Sequence, residues 1–127
     1  MSTDFPERHK QLEMLLGQLA KQLPGPVGGF ARLHKEAIAP GQLNPKIKEL
    51  VALGIAVAVR CESCITFHVH DALKAGATRA EILETLGVAI MMGGGPAAMY
   101  ACDAFEALEQ FEKSGIAGGS ATSGGDD

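Results

Sequence analysis

The chain has no tryptophan, one tyrosine and three cysteines, and it lacks any long run of charge or of apolar residues. Each shortage excludes something. An odd cysteine count is not a framework of structural disulfides. No basic cluster exceeds two residues and the formal net charge is −4, which argues against nucleic acid or an anionic membrane as partner. The apolar run Leu50 to Val59 has ten residues, against the roughly 20 needed to cross a bilayer. No basic, apolar, small-residue leader is visible at Met1, so the expected compartment is the cytoplasm. There, persistent disulfides are rare, and a close cysteine pair is more often catalytic or metal-binding than structural.

What is present fits one globular domain: 127 residues, 46% apolar and 20% charged. The domain is expected over 1–113, and the Gly, Ser, Ala, Thr and Asp of 114–127 read as a flexible tail. Most of the chain reads as helix, about six in all. Leu12, Leu15, Leu16 and Leu19 give a helical stripe from Pro6 to about Gln22, capped by Asp4 and ended by Pro24-Gly25-Pro26. Val27, Phe30, Leu33 and Ala37 suggest a second helix, stopped by Pro40-Gly41. Asn44-Pro45 starts a third, to about Val59. Its apolar end could alone be a buried strand, but its length and capped start favour helix. Cys61 to Ala75 forms the fourth, ended by Gly76. Thr78-Arg79-Ala80-Glu81 is a capping box opening a fifth to about Met92. Gly93-Gly94-Gly95 breaks the chain, and Pro96 opens the sixth, with Met99, Ala101, Phe105, Leu108 and Phe111 as its apolar content.

Leu50 to Val59 and Leu86 to Met92 are apolar nearly all round. Such helices need cover on every side, and a small domain has limited capacity to supply it. A homo-oligomer is therefore expected. Met91-Met92 and Cys102 read as core residues, and His70 and Asp71 as surface residues opposite the dithiol.

The most specific chemistry is Cys61-Glu62-Ser63-Cys64 with His68 four residues on. On a helix, Cys61, Cys64 and His68 share one stripe, with Cys61 in the first turn, where free N–H groups favour a thiolate. His68 is nearest Cys64 and is the base that would deprotonate it. Two buried thiols beside a core histidine is the plainer alternative. Zinc is another, but a structural site needs four ligands, and Cys102, His70, His34 and His9 show no paired spacing with this motif. Gly93 to Pro96 lacks the lysine of a phosphate loop and reads as a plain turn. Glu49, twelve residues before Cys61, could face the dithiol across a helical hairpin, although spacing alone favours a solvated glutamate.

Glu49, eleven residues, then Cys61-x-x-Cys64-x-x-x-His68 resembles the alkylhydroperoxidase D-like branch of the carboxymuconolactone decarboxylase superfamily. Ala72 to Thr78 and Glu81-Ile82 extend the likeness, which covers 44–112. The resemblance implies an all-α helical bundle, assembled as trimers or hexamers. It implies a thiol-dependent peroxidase or disulfide oxidoreductase without metal, haem or flavin. Mapped onto this chain, Cys64 is the peroxidatic thiol, Cys61 resolves its sulfenic acid as a disulfide, and His68 and Glu49 relay the proton. The implied partners are a hydroperoxide or disulfide substrate and a thiol reductant. One position departs from the best-studied type: Ser63 stands where that type has a second histidine. A lactone decarboxylase using histidine, and a non-catalytic redox sensor, are the alternative readings.

Overall fold

Residues 3–116 are described by a computed structural model; most of the expected tail, 117–127, lies outside the described residues. The elements in order are α1 (Phe5–Gln22), α2 (Pro24–Ile38), α3 (Pro45–Ala58), α4 (Glu62–Lys74) and α5 (Arg79–Lys113). The fold is all-α.

Local chemistry explains the boundaries. Asp4 caps α1 by accepting from the Glu7 N–H (3.0 Å), and Asn44 caps α3 by accepting from the Ile47 N–H (2.8 Å). Pro24 begins α2 three residues earlier than the Val27 start, because a proline in the first turn surrenders no intrahelical bond. Ala39, extended (ψ 148°) before Pro40, ends α2. Thr78 and Glu81 close the full capping box: the Glu81 N–H donates to the Thr78 hydroxyl (3.1 Å) and the Thr78 N–H to the Glu81 carboxylate (2.9 Å). Those bonds, the Thr78 N–H foremost, then Lys46, hold the Glu81 carboxyl below its ordinary value.

The glycine triplet interrupts α5 where the break was expected: Gly94 leaves helical geometry (φ 73°, ψ −153°), and two helices meet there across a kink, so the five elements hold six helical segments. A glycine takes this positive φ without the clash of a β-carbon. α5 is long and apolar enough, by length and composition only, to span a bilayer. Its buried residues on both sides of the kink, Ile82 and Leu86 before it and Ala104, Leu108 and Phe111 after it, build the bundle core.

That core lies between α3, α4 and α5, where Leu53, Val57, Ile65, Val69, Leu73, Ile82, Leu108 and Phe111 are all but fully buried. Each such side chain contributes about 1.5–3 kcal/mol. α1 lies on this body through Phe5 and His9. The Gln110 side chain ties the chain start to α5, accepting from the Phe5 N–H (2.7 Å) and donating to the Thr3 carbonyl (2.9 Å). α2 buries no residue.

The two all-round apolar segments are only half covered. Val51 and Ile55 of α3, Val59 at its C-cap, and Val88, Met91 and Met92 of α5 are exposed, Met91 by 71%. Met91 and Met92 therefore leave the core role expected for them. Ala89 holds the inward position of that turn and turns both methionines outward. Cys102 is likewise exposed: Ala97, Ala101, Ala104 and Leu108 set the inward face, and Cys102 lies off it. Phe105 and Met99, part of the expected apolar content, are also exposed.

Candidate active site

The turn between α3 and α4 sets the dithiol. The Arg60 N–H bonds the Val57 carbonyl (3.2 Å), and the Cys61 N–H bonds the Ala56 carbonyl (3.1 Å), a Schellman closure of α3. The same paired closure ends α4 at Gly76 (φ 102°) and α5 at Gly115 (φ 92°). Before the dithiol the left-handed position is held by Arg60 (φ 63°), which costs a non-glycine residue about 1–2 kcal/mol.

Cys61 is the N-cap of α4, one position before the first turn expected for it, with its Sγ accepting from the Cys64 N–H (3.2 Å). Cys61 and Cys64 are joined as a disulfide, with Cα atoms 5.2 Å apart. Both are half-buried, and Cys64 packs against the core.

Four residues beyond Cys64, His68 Nδ1 lies 2.8 Å from Glu49 Oε1. Glu49 belongs to the inward face of α3 with Leu50, Leu53, Ala56 and Val57, and it is only 4% exposed. The solvated-glutamate reading is thereby set aside. A carboxylate this buried requires a partner, and His68 supplies it. With the carboxylate as acceptor, Nδ1 is the donor of this bond, and the other ring nitrogen, Nε2, faces away from Glu49. Helical spacing places Cys64 and His68 on one face of α4.

Further titratable groups converge here that spacing did not connect. His70 and Asp71 are half-buried, not surface residues, because α1 covers that side of α4. His70 donates from Nδ1 to Asp71 (2.8 Å), and its ring stacks on buried His9 at 3.9 Å. Phe67 and Phe111 flank His9. Burial, then the neighbouring His70, holds the His9 imidazole below its ordinary value. Across the helix, His34 of α2 reaches Glu49 and Asp71, with one ligand-type atom of each within 4.8 Å of the others. No motif spacing links His34 to the dithiol; helix packing brings it there. His9, His70 and Asp71 form a second group of that spacing, but the stacked rings hold their lone pairs in nearly parallel planes rather than aiming them at one point.

At the α4 N-terminus, Asp103 is held above its ordinary value by burial and then by the nearby Glu62 and Glu106. A separate apolar groove of about 510 Å³ runs between α3 and α5, lined by residues including Val51, Ile55, Val88 and Met92. None of Glu49, Cys61, Cys64 or His68 lines it. The chemistry and this apolar groove thus lie on different faces.

The chain matches the model of the carboxymuconolactone decarboxylase family over residues 27–107. It is 39% identical to an uncharacterized protein of Cupriavidus necator, over 85% of this chain and 98% of the relative. In three dimensions it is similar to a carboxymuconolactone decarboxylase family protein of Legionella pneumophila in its apo form (TM-score 0.80, 45% identity, 84% of this chain and 96% of that one). A Thermotoga maritima protein of the same family, described as a candidate for an antioxidative response, superposes with a TM-score of 0.77 at 28% identity, over 86% and 96% of the two chains. With the family model covering most of the bundle and the fold shared along nearly the whole of these relatives, the chain belongs to the carboxymuconolactone decarboxylase family.

Proposed function

We propose that the protein is a cofactor-free, thiol-dependent peroxidase of the alkylhydroperoxidase D-like kind, cycling the Cys61–Cys64 pair between dithiol and disulfide. One observation carries the reading: a buried carboxylate, Glu49, holds His68 at 2.8 Å on the helix that begins with the disulfide. This supplies a base whose free nitrogen is fixed and whose positive form is stabilised once it takes a proton.

In the cycle, His68 takes the proton of the Cys64 thiol. The thiolate attacks the terminal oxygen of a hydroperoxide, the O–O bond breaks, and the alkoxide recovers the proton from His68 and leaves as alcohol. Cys64 is then a sulfenic acid. The Cys61 thiol attacks its sulfur, releasing water and closing the disulfide. The Cys64 N–H at Cys61 Sγ supports negative charge on the resolving thiol. A dithiol reductant restores the pair and becomes a disulfide itself. The antioxidative connection made for the Thermotoga relative supports the same reading. A reducing cytoplasm would keep such a reductant available.

The working form is proposed to be a homo-oligomer, a trimer or hexamer, with the exposed apolar faces of α3 and α5 between subunits. Exposed Val51, Ile55, Val88, Met91 and Met92 cluster beside one groove, which is unusual on a monomer's surface. The test of activity is hydroperoxide consumption with a small dithiol as reductant. Wild type should turn over, and alkylation of both thiols should silence it. Full activity after alkylation would point to the decarboxylase chemistry of the family name.

A further inference from the structure

We propose that the α1–α2 hairpin is an assembly arm that seats in the α3–α5 groove of a second copy of the chain. The inference rests on the homo-oligomer proposed above and names the two surfaces that meet.

One stripe runs the length of α1 and into the turn after it: Phe5, His9, Leu12, Leu16, Leu19 and Leu23 recur at alternating helical spacings. Its first part is covered. Phe5 and His9 are buried, His9 against Phe67 of α4 and Phe111 of α5, and Leu12 is half-buried. From Leu16 onward the same stripe is open, each leucine by close to half. α1 therefore overhangs the body on which its start is docked. α2 continues the overhang. It buries no residue, and its own stripe of Pro26, Phe30, Leu33 and Ala37 faces solvent, with Phe30 68% and Leu33 64% exposed. An apolar stripe left open along half of one helix and the whole of the next marks a docking face.

The chain carries the matching concavity. The groove of about 510 Å³ between α3 and α5 is apolar apart from Thr85 and Gly54, and no residue of α1 or α2 lines it. A helix fits such a groove through apolar anchors at i, i+4 and i+7, which on α2 are Pro26, Phe30 and Leu33. A groove set against a second groove would leave both concavities unfilled, whereas a protruding helix fills one.

The area is sufficient. Leu15, Leu16, Leu19, Leu23, Phe30 and Leu33 each stand about half open. At roughly 180 Å² for a whole large side chain, that opens about 500 Å² of apolar surface. A stable interface of about 800 Å² per partner is about 57% apolar, or about 450 Å². The net charge of −4 disfavours an anionic lipid surface as the occupant. Each copy holds one arm and one groove, so successive copies match every face when they close into a ring, as a trimer does.

Light scattering on the full-length protein tests this with two double variants. Phe30→Asp with Leu33→Asp spoils the arm, and Val51→Asp with Ile55→Asp spoils the groove. All four positions are exposed, and circular dichroism checks that helix content is kept. Each variant alone is expected at the monomer mass. Mixed in equal amounts they should form a dimer with one copy of each, because the intact arm of the groove variant meets the intact groove of the arm variant. A mixture that stays at the monomer mass overturns the inference, and is the result expected of a groove that pairs with itself. If the aspartates lower helix content, Phe30→Ser with Leu33→Ser is read by the same criteria. An oligomeric wild type beside an arm variant of unchanged mass removes the arm and keeps the oligomer. Wild type at the monomer mass at low micromolar concentration removes the oligomer and the arm together.

Discussion

Replacing Glu49 by glutamine should separate activity from stability. The substitution keeps the shape and one hydrogen bond to His68 but removes the charge. In the wild type the carboxylate sits 2.8 Å from His68 Nδ1 and is almost fully buried. A unit-charge attraction over about 4 Å is worth about 4 kcal/mol at an effective dielectric constant of about 20. A neutral hydrogen bond to glutamine recovers about 1–1.5 kcal/mol of it. The imidazolium formed as Cys64 loses its proton is thus destabilised by about 2.5–3 kcal/mol, or roughly 70- to 160-fold in rate. The folded state should hardly notice. In the resting pair, loss of a hydrogen bond to a charged acceptor is largely offset by no longer keeping a carboxylate out of water, so stability should change by no more than about 1 kcal/mol. The assay is steady-state peroxide consumption with a dithiol reductant, alongside denaturant unfolding of the same variant. Turnover within twofold of wild type would refute the reasoning, as would a rate loss matched by unfolding.

Other consequences are as direct. Arg60→Gly should raise stability by about 1 kcal/mol in urea unfolding, because it relieves the left-handed backbone (φ 63°) that closes α3. His9 is held below its ordinary value, so the unfolded chain binds more protons as pH falls below about 6.5. Stability should therefore be fully present above that pH and decline below it, and His9→Phe should flatten the decline in thermal melts between about pH 7.5 and about pH 5.5. Val51→Asp paired with Ile55→Asp places charge on the exposed face of α3 and should reduce the mass seen by light scattering from an oligomer to a monomer. An unchanged mass would move the subunit contact to another face.

The sequence displayed its helix ends well because capping is local. Asp4, Asn44-Pro45 and the Thr78–Glu81 box carry their partners within three residues, and each bond is found in the fold. Composition showed apolar faces, but not which side each would present. Cys102 and Met91-Met92 look like core residues until the register of Ala89, Ala97, Ala101 and Ala104 places them outside. The Gly93 to Gly95 triplet marks the kink directly, because Gly94 takes the non-helical backbone that divides α5 into two helices. At the site, Cys61, Cys64 and His68 lie on one helix start and are legible from spacing. Glu49 needed the family pattern. His34 and His9 come from other helices, and nothing in linear spacing joins them to the dithiol.

The central claim is that Cys64 is the thiol that meets the substrate. The most direct measurement compares hydroperoxide turnover of Cys64→Ser and Cys61→Ser under a dithiol reductant, with a sulfenic-acid-selective reagent present in a single-turnover arm. The account predicts no turnover and no labelling for Cys64→Ser, and a persistent, labelled sulfenic acid on Cys64 for Cys61→Ser. Peroxide consumption by Cys64→Ser at the wild-type rate would contradict it.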